Sequence, residues 1–316
     1  MTVHLEPDSN IPNQRLAKQL PVHWREFAIE SLIRVAGVST IGFVALILAF
    51  LLLEGAPAFW QTSWRVLLGQ RWYPIFGIYG ILPLVLGSLL VTAGAVVIAV
   101  PLGLATAIFV AEIAPRWLRE ILKPLIEVIA GVPSVVLGFL GMVAVAPLIR
   151  QELGIPTGLT ALTGSLMLAY MALPTIITIA EDALDAVPTT YRDGAYALGA
   201  TQWQTIWRVI VPAARSGILV AIMLGIGRVV GETMAVMMVT GNAARMPMEL
   251  DAILRPVRTM TATIAAEMGE VARGSTHYHV LFVIGLVLFV LTFIVNAIAS
   301  LLTIGARERR GGRLMR

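Results

Sequence analysis

Length, composition and charge together exclude a soluble globular protein. The chain has 316 residues, of which 58% are hydrophobic and only 13% are charged, whereas soluble domains carry about 25% charged residues. It has no cysteine, which excludes disulfides, thiolate zinc sites, iron–sulfur clusters and a cysteine nucleophile. The composition therefore predicts an integral membrane protein of the all-α class.

Six apolar stretches are long enough to cross a bilayer as helices. A charge at the bilayer centre costs about 2.5–3.5 kcal/mol, so long gaps between charged residues mark candidate spans. Five such gaps run from Arg34 to Glu54, Arg71 to Glu112, Glu127 to Arg150, Glu152 to Glu181 and Arg273 to Arg307. A sixth apolar stretch, 216–244, has only two charged residues, Arg228 and Glu232. Because about 20 apolar residues cross the hydrocarbon, we expect six transmembrane helices.

The basic residues predict the topology. If the amino terminus is cytoplasmic, 15 Lys and Arg residues fall in inner segments and 7 in outer ones, as basic residues are retained inside. We therefore expect a multi-pass protein of the inner (plasma) membrane with both termini cytoplasmic. The expected divisions are a cytoplasmic tail at 1–33, a first transmembrane helix at 34–54, an outer loop at 55–78, a core with five transmembrane helices at 79–305 and a basic tail at 306–316. The basic charge of the tail at 306–316 favours contact with anionic lipid. We do not expect a nucleic-acid partner.

The chain lacks the residues of a nucleotide-hydrolysing enzyme. Its only lysines, Lys18 and Lys123, do not follow a glycine, so it has no phosphate-cradling G-x-x-x-x-G-K-[ST] loop. His277 and His279 flank Tyr278, but two such ligands make a weak metal site, and we expect no metal and no cofactor bound by this chain. If the chain is a transporter, either an ion gradient or a partner must supply the work.

The inner loop between the fourth and fifth spans predicts a compact pair of short helices, at 187–212. Pro188 precedes a helix start, and Gly199 ends the first helical run. Thr201 is placed to cap a second segment with apolar residues at helical spacing. We expect this knob to insert into a groove of another protein, although a plain amphipathic inner loop is the alternative.

The fifth span contains a charged pair that predicts an anion site. Arg228 and Glu232 are four residues apart, so on a continuous helix they share one face. Arginine binds oxyanions with forked donors, and a carboxylate that only accepts hydrogen bonds favours an anion that keeps a proton, which points to phosphate rather than sulfate. The alternative is a structural ion pair. Gly227 and Gly231 share the same spacing and predict close helix packing.

A break in the third helix marks further candidates for the pathway. Pro133 interrupts the backbone hydrogen bonds, and broken membrane helices often line cavities. Glu127 would then begin the third helix, and either faces the pathway or lies at the inner interface near Lys123, one turn away; we favour the interface. Glu127, Pro133 and Ser134 are the candidate pathway residues.

The inner loop resembles the E-A-A-x-x-x-G loop of ABC-importer permeases, which is followed after nine residues by I-x-L-P. In that family the loop docks into the nucleotide-binding subunit and couples it to transport. Asp193 replaces the motif's Glu, Gly194 replaces its first Ala, and valines replace Ile and Leu. The matching residues are Asp193, Gly194, Ala195, Gly199, Val209, Val211 and Pro212.

A wider resemblance, to the PstC-type permease of phosphate ABC importers, covers residues 30–305. It rests on R-V-V-G-E-T-M-A-V-x-M-V-x-G-N in the fifth span and on the segments 100–115 and 122–139. The resemblance implies the six-helix fold of a type I ABC importer permease that transports inorganic phosphate, with Arg228 and Glu232 at positions tied to phosphate passage. It also implies a PstA-like second permease, a PstB-like ATPase dimer and an external PstS-like phosphate-binding protein.

Two other functions remain open at this point. One is an ABC permease for another oxyanion, and the other is a self-sufficient channel or ion-coupled carrier. A membrane-embedded enzyme lacks any set of nucleophile, base and metal ligands in this sequence.

Overall fold

The computed structural model describes residues 24–249 and 251–311. Within them lie six helices long and apolar enough to cross a membrane: Ile29–Gln61, Leu82–Ile113, Ser134–Leu153, Ala161–Asp185, Gln202–Gly231 and Thr276–Ile298. The six expected spans are therefore confirmed. The chain divides into two compact units, Met1–Ala49 and Phe50–Arg316. The expected tails lie outside the described residues at 1–23 and at 312–316.

The first helix and the outer segment after it are longer and more ordered than expected. Helix α1 (Trp24–Gln61) extends the expected span at 34–54 in both directions. After the single-turn helix α2 (Trp64–Leu67), an antiparallel hairpin pairs β1 (Trp72–Tyr73) with β2 (Ile78–Tyr79). Gly77, with φ +69, closes the hairpin, a conformation that glycine adopts without strain.

Spans two to four include a separate helix, α4 (Arg116–Ala130), between the second and the third span. They comprise α3 (Leu82–Ile108) with a π turn at Phe109–Ile113, then α4, α5 (Ser134–Leu140), a π turn at Gly141–Val145, α6 (Ala146–Leu153) and α7 (Ala161–Asp185). The expectation that Glu127 begins the third helix is wrong, because Glu127 lies in α4 and the span starts at Ser134. Pro133 lies at the break, as predicted, and is the residue before α5.

The remaining elements form the inner knob, the last two spans and an outer connection. They are α8 (Thr189–Ala197), α9 (Gln202–Thr205), a π turn at Ile206–Ile210, α10 (Val211–Gly231), α11 (Met234–Val239), α12 (Met260–Glu267) and α13 (Thr276–Gly311). The helical stretch α13 runs through the expected boundary at residue 305 without a break.

Helix α7 is the centre of the core and packs closely between α3 and α10. Ile176 of α7 is 1% exposed and lies between two glycines. A Cβ atom on Gly103 would lie 2.7 Å from Ile176 Cγ2, and one on Gly225 would lie 2.5 Å from Ile176 Cγ1. Gly227 and Gly231 have no atom within 4 Å of such a Cβ, so the close approach predicted for them occurs instead at Gly225.

One carboxylate joins three separate segments of the chain. Glu267, at the end of α12, accepts a hydrogen bond of 3.1 Å from Trp72 Nε1 of the hairpin. It forms an ion pair of 2.8 Å with Arg258 and a hydrogen bond of 2.8 Å with His277 Nε2 of α13. Trp72 is 2% exposed, so the hairpin is held against α12 and α13 by burial as well as by hydrogen bonding.

Candidate functional site

The fifth span is not one continuous helix at its charged pair. Helix α10 ends at Gly231, Glu232 takes an extended conformation with ψ 130, and α11 starts two residues later. Arg228 and Glu232 therefore do not share one helix face, and this part of the prediction is wrong. Glycine is a poor helix former, and the Glu232 side chain bonds to backbone N–H groups that a continuous helix would use.

Glu232 caps the short helix after the break. Its Oε1 accepts hydrogen bonds from the backbone N–H groups of Thr233 and Ala235, at 3.2 and 3.3 Å. Its carbonyl oxygen accepts from Thr261 Oγ1 of α12, at 3.1 Å. The second carboxylate oxygen has no protein hydrogen-bond partner among the residues that the structure describes. One oxygen thus fixes the local backbone, and the other is available to a ligand.

A narrow polar cavity lies beside this break. Hydroxyl groups from two separate segments, α3 and the start of α12, line it together with Glu232, and the rest of the lining is aliphatic. Its polar lining consists of Ser88, Thr92, Thr259, Thr261 and Glu232. Hydroxyls both donate and accept hydrogen bonds, so this lining places donors and acceptors beside the Glu232 carboxylate.

Arg228 lies one turn before the break, and its residue is exposed. It forms no ion pair with Glu232, and no other carboxylate within the described ranges neutralises it. An unpaired guanidinium in a membrane span is costly unless it faces water or a ligand. The arrangement therefore presents a forked donor one turn before a carboxylate that has a free oxygen.

The other candidate pathway residues occupy the junction of α4 and α5. Glu127 is exposed on α4, and its expected neighbour Lys123 pairs with Glu181 of α7 at 2.8 Å instead. Pro133 precedes α5, and Ser134 is its first residue. Their contact with a pathway stays a prediction.

The inner knob has the form that its sequence predicts. Helix α8 follows Pro188, Gly199 has φ +79, and Thr201 caps α9 in a capping box with Gln204. Within the matched motif, Ala195 is 7% exposed, whereas Asp193, Gly194 and Gly199 are exposed. Val209 lies in the π turn, and Val211 and Pro212 begin α10.

The knob presents apolar side chains that a docked partner would cover. Leu198 is 90% exposed at its tip, and Trp203 and Trp207, one turn apart, are each more than half exposed. Clusters of exposed aromatic residues mark interaction surfaces on proteins. The two tryptophans belong to the apolar residues at helical spacing in the second segment, and they lie on the outside of the knob.

Ion pairs around the knob were missed by the sequence analysis. Arg192 of α8 forms a 2.5 Å ion pair with Glu112, at the inner end of α3. Arg119 of α4 pairs with Glu181 at 2.6 Å and also with Asp185. The hydrogen bond to Glu112 raises the pKa of Arg192 above its ordinary value, in spite of its burial. The signal available in the sequence was that Glu112 and Glu181 lie at the ends of apolar gaps.

The histidines do not form a metal centre in the described part of the chain. His277 pairs with Glu267, and His279 Nδ1 lies 2.7 Å from the Glu54 carbonyl oxygen. Among residues 24–249 and 251–311, no three metal-ligating side chains come together.

Comparison with known proteins identifies relatives over most of the chain. A Bacillus subtilis protein named probable ABC transporter permease protein YqgH is 44% identical over 216 residues, which is 68% of this chain and 69% of that protein. The phosphate transport system permease protein PstC of Mesorhizobium japonicum is 36% identical over 295 residues, 84% of this chain and 89% of that protein.

Solved transporters share the fold. A permease chain of the MetNI methionine ABC transporter matches with a TM-score of 0.58 at 18% identity, covering 75% of this chain and 99% of that one. A chain of a bacterial alginate ABC transporter matches with a TM-score of 0.60 at 13% identity, covering 88% and 95%. The fold is that of type I ABC importer permeases.

The family described as "Binding-protein-dependent transport system inner membrane component" matches residues 99–307. That range contains four of the six spans, the inner knob and both residues of the charged pair. Together with the PstC relatives, the match covers the parts of the chain on which the site is built. The chain therefore belongs to the family of binding-protein-dependent transport system inner membrane components.

Proposed function

We propose that this chain is the permease subunit of an ATP-driven importer of inorganic phosphate and forms half of the translocation pathway. The observation that carries the proposal is the 36% identity to a PstC phosphate permease over 84% of the chain. The six spans and the exposed inner knob support the role of a pore subunit. ATP hydrolysis then belongs to a separate subunit, because the sequence has no P-loop.

The proposed partners follow from three surfaces. A PstB-like ATPase dimer receives the exposed knob at 187–212, whose small residues at 193–195 and 199 allow a close fit. A PstA-like second permease completes the pathway opposite the exposed Arg228. An external PstS-like phosphate-binding protein delivers the anion to the outer face.

The orientation of the chain is part of the same proposal. The ion pairs of Glu181 with Arg119 and Lys123 join helix α4 to the inner end of α7. These basic residues are among those that the charge count assigns to the inside. Both termini are then cytoplasmic, with an even number of spans between them.

The proposed phosphate contacts use Arg228 and Glu232 together. The Arg228 guanidinium neutralises the anion and donates two hydrogen bonds, and the free oxygen of Glu232 accepts from the P–OH group. Sulfate has no proton at neutral pH, so it meets Glu232 as repulsion. Phosphate would pass between the permeases without burying an isolated charge in lipid.

Reconstitution in vesicles with the partner subunits and binding protein tests the proposal. We expect ATP-dependent uptake of radiolabelled phosphate that excess sulfate does not inhibit. Arg228→Lys should lower uptake at least about tenfold while leaving assembly intact, since an ammonium cannot replace the fork. Arg273→Lys, at an exposed outer position, is the matched control and should transport normally.

The same preparation separates the alternatives. If the complex takes up sulfate or molybdate and phosphate does not affect that uptake, its substrate is another oxyanion. Phosphate flux by this chain alone, without the ATPase subunit, would identify a self-sufficient carrier. Unchanged uptake in Arg228→Lys would leave the importer but remove this residue from the pathway.

A further inference from the structure

Both short helices of the knob are attached to one residue of the membrane core. Arg192 of α8 contacts the Glu112 carboxylate through two nitrogens, with Nε 3.3 Å from Oε2 and Nη2 2.5 Å from Oε1. Gln202 of α9 donates from Nε2 to the Glu112 carbonyl oxygen, at 3.0 Å. Glu112 is therefore the point at which the two halves of the knob meet the inner end of α3.

Arg192 also attaches the knob to a second span. Its Nη1 donates to the carbonyl oxygen of Val187 at 2.7 Å, and its Nη2 donates to that of Leu184 at 3.1 Å. Leu184 belongs to the last turn of α7, whose carbonyl groups have no partners within that helix. One guanidinium thus connects the knob, the end of α7 and the end of α3.

The Glu112–Arg192 pair is shielded from water. The side chains are 8% and 19% exposed, respectively. Removing one member of a shielded pair leaves the other charge without compensation, which disrupts more than removing both members. A pair of this kind resists separation, so the two segments that it joins move together.

The local backbone around Glu112 is unusual in a way that fits this attachment. Glu112 lies in the π turn Phe109–Ile113, where the N–H of Ala114 bonds to the carbonyl of Phe109 five residues earlier. The knob continues into α10 through another π turn, Ile206–Ile210. π turns inside helices occur frequently at functional sites.

We propose that Glu112 is a positioning residue through which displacement of the knob by the ATPase is transmitted to α3 and α7. The inference rests on the proposed ATP-driven function and adds the residues that connect the ATPase contact to the helices packed around Ile176. Arg192 and Gln202 are the corresponding attachments on the knob side.

A double-mutant cycle on the reconstituted complex tests the proposal. The variants are Glu112→Gln, Arg192→Gln and the two combined, and the readout is phosphate imported per ATP hydrolysed. Each single variant should lower this ratio about 5- to 10-fold, within the usual range for coupling between sites. Because both residues belong to one link, the double variant should be no worse than either single variant.

Two further variants make the test specific. Gln202→Leu removes only the hydrogen bond to the Glu112 carbonyl from an exposed position, and should lower the ratio by about half. Asp251→Asn is the matched control, because it breaks an ion pair with Arg255 on the exposed outer connection and should leave the ratio unchanged. Size-exclusion chromatography establishes which variants assemble. If neither Glu112→Gln nor Arg192→Gln assembles, the phosphate imported per ATP hydrolysed by Gln202→Leu decides the test.

The outcomes distinguish the inference from the proposed function. If the unmodified complex imports no phosphate with ATP, the proposed function fails. If it imports phosphate and the assembled variants keep its ratio, Glu112 does not transmit the motion. The inference would also be overturned if the double variant lowered the phosphate imported per ATP by the product of the two single fold-losses. The two residues would then act separately.

Discussion

Replacing Gly225 by alanine adds one methyl group where α10 crosses α7. That methyl carbon would lie 2.5 Å from Ile176 Cγ1 and 2.8 Å from Ile176 Cδ1, well inside van der Waals contact. Overpacking of a core by a methyl group costs about 1–3 kcal/mol. The gain in helix propensity from Gly to Ala is about 1 kcal/mol, so we expect a net loss of up to about 2 kcal/mol.

Gly227 provides a matched control two residues further along the same helix. A methyl group there meets no atom within 4 Å, so Gly227→Ala gains propensity without a clash. Each of the two variants adds one methyl group to α10, at a different position. Their free energies of unfolding should therefore differ by about 1–3 kcal/mol, with Gly227→Ala the more stable.

The assay is thermal unfolding of the purified protein in detergent, followed by intrinsic fluorescence. A second background, Ile176→Ala, removes the clashing atoms at its own cost of about 2–5 kcal/mol. In that background Gly225→Ala should no longer lower the midpoint, because the added methyl fills part of the cavity. An equal loss in both backgrounds, or an equally destabilised Gly227→Ala, would refute the packing argument.

Three other predictions concern the knob and the outer face. Gly199→Ala should reduce phosphate uptake per ATP, because a side chain at φ +79 costs roughly 1–2 kcal/mol, whereas Gly194→Ala, equally free of neighbours, should not; equal ratios would contradict this. Trp72→Phe removes the donor to Glu267 and should destabilise the purified protein by about 1–2 kcal/mol in thermal unfolding; an unchanged midpoint would refute the role of that hydrogen bond. Burial raises the pKa of Tyr79 above its ordinary 10.0, so its stabilising effect is present below that pH and is lost as the pH rises through the folded-state value. Tyr79→Phe should therefore lessen the fall in melting temperature above pH 10, and an identical fall would count against it.

Features set by local chemistry could be predicted from the sequence. The knob is the clearest case, because Pro188, Gly199 and Thr201 each determine a helix boundary through their own backbone or capping preference. The number of spans was equally accessible, since it depends only on the length of apolar gaps. These signals need no knowledge of distant residues.

Features set by distant contacts could not be predicted. The sequence predicted that Glu232 shares a helix face with Arg228, whereas the helix breaks there and the carbonyl of Glu232 is held by Thr261, 29 residues away. The pairing of Glu112 with Arg192 joins residues 80 positions apart. Charges at the edges of apolar gaps were informative about span ends, but nothing local selected their partners.

The convergence of Trp72, Arg258 and His277 on Glu267 has a mechanical consequence for the segments that carry them. Three donors from separate segments of the chain bond to one acceptor, so these segments move as a unit unless one of the bonds breaks. A substitution of Glu267 would therefore remove all three attachments at once.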